Sequence, residues 1–317
     1  MLPANRVPTE GVRRLTAAGP AGDVIFIGLG AMGAPMAARL SAAGHRLSVC
    51  DAEPVRTAAV AADIGAAALA PDDLVTAAAQ VRTVVLMLPD SPAVETVLQG
   101  PGGLLHALSP GTTVLDMGSS RPTSTVALAA AADDLAVALL DAPVSGGVAK
   151  ARTGELAIMV GGRAHDLAQV QSVLAVLGTV THVGRAGAGH AMKALNNLLS
   201  AIGLAAASEV LAVGASFGLE PAVMLAVLNG STGRNHATEV KMERFVLSRS
   251  FDSGFALRLM VKDLRTALDL AHDTGTPVPL GAGCLEQWTA AARALGPDAD
   301  HTEIAAYVEA RAGVELH

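Results

Sequence analysis

Aromatic side chains are nearly absent from this sequence of 317 residues, which contains five Phe, one Trp and one Tyr. Its core must therefore be built from Ala, Val and Leu, since 51% of the residues are apolar and 16% are charged. This composition favours helices and buried parallel strands over an all-β sandwich. The chain is longer than one typical domain of about 100–200 residues, so we expect two domains.

Cysteine, positive charge and metal-ligand spacings are also scarce. Cys50 and Cys284 cannot build a disulfide framework, and reduced thiols in a cytoplasmic protein are the simplest interpretation. The net charge of −7 argues against nucleic acid or an anionic membrane as a partner. The nine histidines form no His-x-x-x-His pair and there is no Cys-x-x-Cys, so no metal site is predicted.

Long uninterrupted apolar runs are missing too. The most apolar stretch, 198–217, contains Ser200, Ser208 and Glu209, so no membrane span is predicted. Residues 1–20 carry prolines and charges but no apolar signal region, and we interpret them as a flexible leader.

A strand, a glycine turn, a helix and a second strand follow one another from residue 23. Asp23–Ile27 runs into the G-x-G-x-x-G of Gly28–Gly33, an alanine-rich helix follows, and the strand 46–50 ends at Asp51. This context matches the dinucleotide fingerprint, in which glycines admit the pyrophosphate and the helix N-terminus offers it amides. A glycine turn without a ligand is the alternative.

Asp51 would accept hydrogen bonds from the ribose hydroxyls and repel a 2′-phosphate, so NAD is favoured over NADP without excluding it. Arg46 and Arg56 are nearby cations that could weaken this preference. The predicted cofactor-binding residues of this domain are Gly28, Leu29, Gly30, Ala31, Met32, Gly33, Asp51, Leu88, Pro89 and Ser119.

Strand and helix patterns alternate up to about residue 185. Further apolar strands are predicted at 82–88, 112–115, 136–140, 156–160 and 179–183. Repeated β-α-β units predict a Rossmann-type, doubly wound, mainly parallel α/β sheet over residues 21–185. Ligands bind outside the carboxyl ends of such strands, where Pro89, Ser119 and the turn Ser145-Gly146-Gly147 would lie.

Strand patterns disappear from residue 186 onward. Helices are predicted at 188–217, 221–229, 236–248, 256–273, 279–294 and 302–311. Residues 186–317 are therefore expected to form an all-α substrate and dimerisation domain that starts with a long interdomain helix. Its many Ala, Leu and Val residues favour burial against a second subunit, in a homodimer or homotetramer.

The first of these helices carries Lys193, Asn196, Asn197 and Ser200 on one face. A lysine and two amides among apolar neighbours are costly unless they have partners. The segment alone leaves two interpretations open: an active-site lysine, or a lysine that snorkels into water while the amides cap or bridge.

Four segments, in the same order, resemble the β-hydroxyacid dehydrogenase family, which includes 3-hydroxyisobutyrate dehydrogenase. They are Gly28–Met36, Asp141–Gly147, Gly187–Asn197 and Phe255–Leu264, and the resemblance covers about residues 22–310. It implies hydride transfer between NAD and the β-hydroxyl of a small 3-hydroxy acid, or reduction of the matching semialdehyde.

The resemblance also implies residue roles. Lys193 matches the family's catalytic lysine, Asn197 an amide that helps to hold substrate, and Lys262 a lysine near nicotinamide and substrate. The substrate-carboxylate cradle falls on Ser145, Gly146 and Gly147. One departure follows Met117, where the family usually has Ser-Thr and this chain has Gly118-Ser119.

Two other functions stay open. One is an imine-reducing or oxidatively decarboxylating enzyme on the same fold, and the other is a non-catalytic NAD-binding module. The presence of Lys193 argues against the imine-reducing version and against the module, because such relatives generally lack that lysine.

Overall fold

The computed structural model describes residues 23–317. The chain forms two compact units that divide between His190 and Ala191. The proposed leader, residues 1–20, lies outside the described residues. The domain boundary expected at residue 185 stays a prediction.

The first unit contains one sheet, which has nine strands in the described part of the chain. The strands are β1 Asp23–Ile27, β2 Arg46–Cys50, β3 Ala67–Ala68, β4 Thr83–Leu86, β5 Thr113–Asp116, β6 Ala138–Asp141, β7 Val144–Ser145, β8 Leu156–Gly161 and β9 Gly178–Gly184. Their order is β3-β2-β1-β4-β5-β6-β8-β7, with β9 beside β8. The β6–β8 and β7–β8 pairs are antiparallel and the others are parallel.

Helices cover both faces of this sheet. They are α1 Gly33–Ala42, α2 Pro54–Ile64, α3 Leu74–Ala78, α4 Ser91–Gln99, α5 Pro122–Asp133, α6 Gly147–Thr153 and α7 Ala164–Leu177. Val24 and Phe26 of β1 pack into one core with α1, α6 and α7, whereas Ile25 and Ile27 pack into the other with α3, α4 and α5. Because both faces are covered, the central strands β4, β5 and β6 are buried at every position rather than at alternate ones. The predicted doubly wound, mainly parallel sheet is confirmed.

The strand boundaries differ from the predicted ones at several places. The strand expected at 82–88 ends at Leu86, so Leu88 lies in the loop that follows β4. Strands β3 and β7 were not predicted, since two-residue strands have no readable periodicity. Sheet pairing rather than local sequence creates them.

The second unit is helical in its described residues. Its helices are α8 Ala188–Phe217, of which the first three residues belong to the first unit, α9 Pro221–Asn229, a π-helix Ala237–Leu247, α10 Leu257–Asp273, α11 Pro279–Leu295 and α12 Ile304–Ala312. The predicted all-α character is confirmed. The expectation of an ordinary α-helix at 236–248 is wrong, because this segment winds as a π-helix.

Helix α8 is long and apolar enough to cross a membrane by length and composition alone, in contrast to the expectation from its interrupted sequence. Half of its most apolar window is buried inside the structure. Core helices pass the same test, so one such helix is weak evidence for a membrane span.

The core of the second unit surrounds the single tryptophan of the chain. Trp288 on α11 is fully buried and stacks with the ring of His301 at a centroid distance of 6.4 Å. Leu264 of α10 and Ile304 of α12 belong to the same cluster. The other fully buried side chains of this cluster are aliphatic, so Trp288 is its largest fully buried side chain.

We therefore expect Trp288→Ala to lower the free energy of unfolding by about 3–5 kcal/mol, the usual cost of removing a buried aromatic side chain. Leu280→Ala on the same helix is the control, because Leu280 is 70% exposed. Thermal and urea unfolding followed by circular dichroism would measure both variants. Equal stability of the two variants would contradict this account of the core.

Candidate active site

The glycine loop between β1 and α1 is shaped by close backbone contacts. Gly28 has a φ of +95°, and a Cβ there would lie 2.4 Å from the carbonyl oxygen of Met87. A Cβ on Gly33 would lie 1.9 Å from the carbonyl oxygen of Gly28, so neither position accepts a larger residue. A Cβ on Gly30 would meet nothing within 4 Å. The loop therefore leaves open space over Gly30, beside the first amides of α1, which fits the pyrophosphate of a dinucleotide.

Asp51, directly after β2, ties this loop to the second strand. Its carboxylate accepts hydrogen bonds from the amides of Leu29 at 2.7 Å and Glu53 at 3.0 Å, and from the Arg56 guanidinium at 3.1 Å. Burial alone would raise the pKa of Asp51, but these donors outweigh it and hold the pKa below its ordinary value. Asp51 therefore stays anionic at neutral pH, as an acceptor of ribose hydroxyls must.

The two arginines near Asp51 in the sequence are far from equivalent in the structure. Arg56 lies 3.1 Å from Asp51 and 2.9 Å from Glu53, so two carboxylates engage it. Arg46 lies at the opposite end of β2, roughly 16 Å from Asp51 at the usual rise per strand residue. The expectation that Arg46 could soften the cofactor preference is therefore wrong.

The loops after β4 and β5 lie beside the glycine loop. A Cβ on Gly28 would be 3.1 Å from the Leu88 side chain, and one on Gly118 would be 2.5 Å from the Leu88 carbonyl oxygen. The departure from the family pattern at Gly118 thus has a steric reason, because this backbone approach excludes a side chain. Leu88, Pro89 and Ser119 follow the carboxyl ends of neighbouring strands, and their contact with cofactor stays a prediction.

Asp116 at the end of β5 organises the loop that contains Ser119. Its carboxylate accepts hydrogen bonds from the Gly118 amide at 3.0 Å and the Ser120 hydroxyl at 2.7 Å. His190 Nε2 lies 3.7 Å from this carboxylate, while Nδ1 shares a hydrogen bond of 2.8 Å with Thr125. Within residues 23–317 no group of three His, Cys, Asp or Glu side chains is arranged to hold a metal ion.

Asp141 at the end of β6 holds the first turn of α8. Its two carboxylate oxygens accept from the amides of Gly187 and His190, each at 2.8 Å. A Cβ on Gly189 would lie 2.7 Å from the Asp141 carbonyl oxygen. Only a glycine at this position therefore lets α8 approach the end of β6 so closely. Sequence reasoning did not assign this role to Asp141, although an acid closing an apolar strand is the signal that could have revealed it.

The turn Ser145-Gly146-Gly147 joins β7 to α6. Gly146 and Gly147 have φ values of +135° and +69°, a region that strains other residues. Ser145 is half-buried and the two glycines are exposed. The turn thus presents a hydroxyl and the first amides of α6, groups that can bind a carboxylate.

In the second unit, Lys193 and Asn197 lie on successive turns of α8, close to two residues of α10. Asn197 Nδ2 donates to Asp263 at 2.5 Å, and Lys262 Nζ lies 3.4 Å from the same carboxylate. The Asp263 side chain is only 2% exposed and that of Lys262 is 28% exposed, so this ion pair is largely withdrawn from the surface. Asn196 Nδ2 donates to Asn197 Oδ1 at 3.1 Å.

Lys193 is in an environment that disfavours its charge. Burial lowers the pKa of its ammonium, Asp263 opposes this shift, and the like charge of Lys262 adds to it. A lysine whose pKa is brought towards neutrality can exchange a proton with a reacting group. This environment favours the interpretation of Lys193 as an active-site lysine, which stays a prediction.

A further lysine, which sequence reasoning missed, belongs to the same unit. Lys241 on the π-helix is 9% exposed and donates to the Ser200 hydroxyl of α8 at 3.1 Å. The like charge of Lys193 helps to lower the pKa of Lys241. No motif pointed to Lys241, because its position depends on the π-helical winding.

Comparison with known proteins places both units in one family. Residues 23–184 match the family model for the NAD binding domain of 6-phosphogluconate dehydrogenase. Residues 187–308 match the model described as NAD-binding of NADP-dependent 3-hydroxyisobutyrate dehydrogenase. Together the two models cover nearly all described residues.

Individual relatives agree with this placement. The chain is 42% identical to 2-(hydroxymethyl)glutarate dehydrogenase of Eubacterium barkeri, over 81% of this chain and 85% of the relative. It is 37% identical to 3-hydroxyisobutyrate dehydrogenase of Pseudomonas aeruginosa, over 88% and 94% of the two chains. The solved structure of 3-hydroxyisobutyrate dehydrogenase of Mycobacterium tuberculosis with L-serine has a TM-score of 0.84 at 31% identity, covering 90% of this chain and 99% of the other.

The family models, the extended relatives and the confirmed fold all point the same way. The chain belongs to the β-hydroxyacid dehydrogenase family, whose members are oxidoreductases that transfer a hydride between a nicotinamide cofactor and the CH–OH group of a small hydroxy acid.

Proposed function

We propose that this protein is an NAD-preferring dehydrogenase of a small 3-hydroxy acid, with Lys193 as general acid and base. The observation that carries the proposal is the arrangement of a half-buried Lys193, whose pKa is lowered, beside the buried Asn197 and Asp263. An imine-reducing enzyme or a non-catalytic module would have no use for a lysine tuned in this way. The relative at 42% identity is named for a hydroxy acid with two carboxylates.

The preference for NAD rests on Asp51 and Arg56. The Asp51 carboxylate remains anionic and would repel a 2′-phosphate, while Arg56 is already engaged by Asp51 and Glu53. A 2′-phosphate would therefore meet a carboxylate before it met an uncommitted cation.

Gly30→Ala tests the cofactor loop. The new Cβ meets no protein atom within 4 Å and Gly30 has no positive φ, so folding should be unchanged. The Cβ would occupy the space assigned to the pyrophosphate, and we expect NADH binding to weaken at least tenfold. Fluorescence titration with NADH and NADPH would measure it, with NADH the tighter ligand of the wild type.

Gly283→Ala on α11 is the matched control, because its Cβ also meets nothing within 4 Å. Both variants should keep the wild-type melting temperature to within a few degrees. Unchanged NADH affinity in Gly30→Ala would show that the phosphates do not lie over this loop.

In the proposed reaction, the loop Gly28–Gly33 and Asp51 would hold a nicotinamide cofactor, which would supply the hydride chemistry. Lys193, as the neutral amine, takes the hydroxyl proton as the alkoxide develops; in the reverse direction its ammonium returns that proton. Asn197, held by Asp263, positions the hydroxyl or the lysine. The Ser145-Gly146-Gly147 turn would bind the substrate carboxylate, and Lys262 would have the role near nicotinamide and substrate that the family resemblance implies.

Lys193→Ala should lower kcat by about 10²- to 10⁴-fold, the usual contribution of one general acid or base. Binding of NADH should persist, because the cofactor loop is untouched. Steady-state kinetics with C3–C4 3-hydroxy acids and fluorescence titration would measure the two effects. Arg265→Ala, which removes an exposed cation of α10, is the control.

The pH dependence of the wild type adds a second readout to this test. Oxidation needs the neutral amine, so its rate should fall as pH drops through the pKa of Lys193. Reduction needs the ammonium, so its rate should fall as pH rises through that pKa. Because burial lowers this pKa, both changes in rate should occur at pH values below the pKa of an ordinary lysine. Near-wild-type kcat in Lys193→Ala would refute the assignment.

An exposed apolar stripe on α8 supports self-association. Its members form two groups of three, spaced by three and four residues within each group and eleven residues apart, which keeps them on one face of the helix. They are Met192, Leu195, Leu199, Val210, Val213 and Phe217, which are 41–84% exposed. We propose that this stripe contacts a second copy of the chain in a homodimer or homotetramer. The two free, buried cysteines suit a cytoplasmic location.

Val213→Glu should dissociate the oligomer, because Val213 is 72% exposed in the single chain and would be buried in the seam. Val55→Glu on α2 is the control, since Val55 is 83% exposed outside the stripe. Light scattering coupled to size exclusion would give the masses. A monomeric wild type would refute the proposal.

A further inference from the structure

Lys241 is a buried cation for which the proposed reaction has no use. The chain has four lysines, and three of them, Lys193, Lys241 and Lys262, lie in the second unit. Lys193 and Lys262 have roles in the proposed mechanism. Lys241 is 9% exposed, and burying an ammonium is costly unless an interaction compensates for it.

The π-helix turns Lys241 inward. The buried residues are Ala237, Thr238, Lys241, Met242 and Val246, which include pairs four and five residues apart. This period suits a helix with hydrogen bonds from i to i+5, which winds with more residues per turn than an α-helix. Such helices are rare and occur frequently at functional sites.

The neighbours of Lys241 do not neutralise it. Within residues 23–317 no carboxylate oxygen lies within 4.0 Å of its Nζ, and the hydrogen bond to Ser200 is to a neutral hydroxyl. Asp300 acts on Lys241 electrostatically. However, the Asp300 oxygens already accept hydrogen bonds from Ser253, from the amides of residues 254–255 and from Thr302.

Lys241 nevertheless keeps its proton at neutral pH. Burial lowers its pKa to about 8, with Asp300 opposing the shift and Lys193 adding to it. At pH 7 the ammonium form still predominates. The second unit therefore holds a buried positive charge that can accept an anion.

Ser200, which accepts the hydrogen bond from Lys241, lies on the same face of α8 as Lys193. Ser200 follows Lys193 by seven residues, or two turns, which is roughly 10 Å along the axis of α8. Asn197 lies between them on that face. Each ammonium sits on a flexible stem, so the two head groups can approach opposite ends of one small molecule.

We propose that Lys241, together with Ser200, binds a second carboxylate of the substrate, which makes the preferred substrate a small 3-hydroxy dicarboxylic acid. The inference rests on the proposed function, in which Lys193 acts on the hydroxyl. In an acid such as 2-(hydroxymethyl)glutarate, four carbon atoms separate the hydroxyl oxygen from the distal carboxylate. Its hydroxyl and distal carboxylate would face Lys193 and Lys241 respectively.

The test compares three acids on the full-length enzyme. These are 2-(hydroxymethyl)glutarate, 2-(hydroxymethyl)pentanoate, in which a methyl group replaces the distal carboxylate, and 3-hydroxyisobutyrate. We expect wild-type kcat/KM to be at least tenfold higher for the dicarboxylate than for the pentanoate. In Lys241→Met this ratio should fall by about 10- to 100-fold, the value of one charge-assisted contact, mainly through KM.

Two further variants separate recognition from support of the π-helix. Lys241→Arg keeps the charge and should restore part of the ratio, whereas Ser200→Ala should lower it less than Lys241→Met does. Arg265→Met, which removes an exposed cation, should leave it unchanged. Melting temperatures would show that each variant is folded.

The outcomes distinguish the two proposals. If Lys241→Met lowers kcat/KM for all three acids by the same factor, Lys241 supports structure and the inference is wrong. Turnover of these acids without preference for the dicarboxylate also overturns it, while the proposed function stands. If no 3-hydroxy acid is turned over, the proposed function fails and the inference fails with it.

Discussion

The cost of burying positive charge is the constraint on which the second unit depends. Lys193 and Lys241 both have lowered pKa values because of burial. The like charge of Lys262 adds to the shift of Lys193, and that of Lys193 adds to the shift of Lys241. Asp263 compensates Lys193 while it fixes Asn197 and pairs with Lys262. Residues of α10 and the π-helix supply partners for the polar groups on this face of α8, through the contacts of Asp263 with Asn197 and of Lys241 with Ser200.

In the first unit the corresponding constraint is how closely backbone can approach backbone. The contacts of Gly28 with the loop after β4, of Gly33 with Gly28, and of Gly118 with Leu88 bring three loops together at the carboxyl edge of the sheet. Polar side chains then hold these loops in place. Asp51 ties down the glycine loop, and Asp116 the loop after β5. The loops at the carboxyl edge of the sheet are therefore shaped first by close backbone contacts that only glycine allows. Carboxylate–amide hydrogen bonds then hold these loops in place.

The family supplies the reaction class, whereas the choice of substrate within it depends on groups outside the shared motifs. In the proposed function, Lys193, Asn197 and Ser145 serve features common to all 3-hydroxy acids. Lys241 and Ser200 are outside the residues to which the resemblance assigns roles, and we propose that they bind an additional anion. This separation of chemistry from selectivity allows one fold to serve several acids by changing a few second-unit residues.

The sequence by itself determined the fold class, the dinucleotide loop and the helix face of Lys193, because each depends on local periodicity or on glycine at fixed spacing. It did not reveal that Asp141 holds the first turn of α8, or that Arg46 lies at the wrong end of β2 to influence Asp51. Only the tertiary structure decided that Asp263 is buried against Asn197 and that Lys241 reaches Ser200. Those contacts join residues 41–66 positions apart, and the π-helical winding that turns Lys241 inward arises from packing rather than from any local pattern.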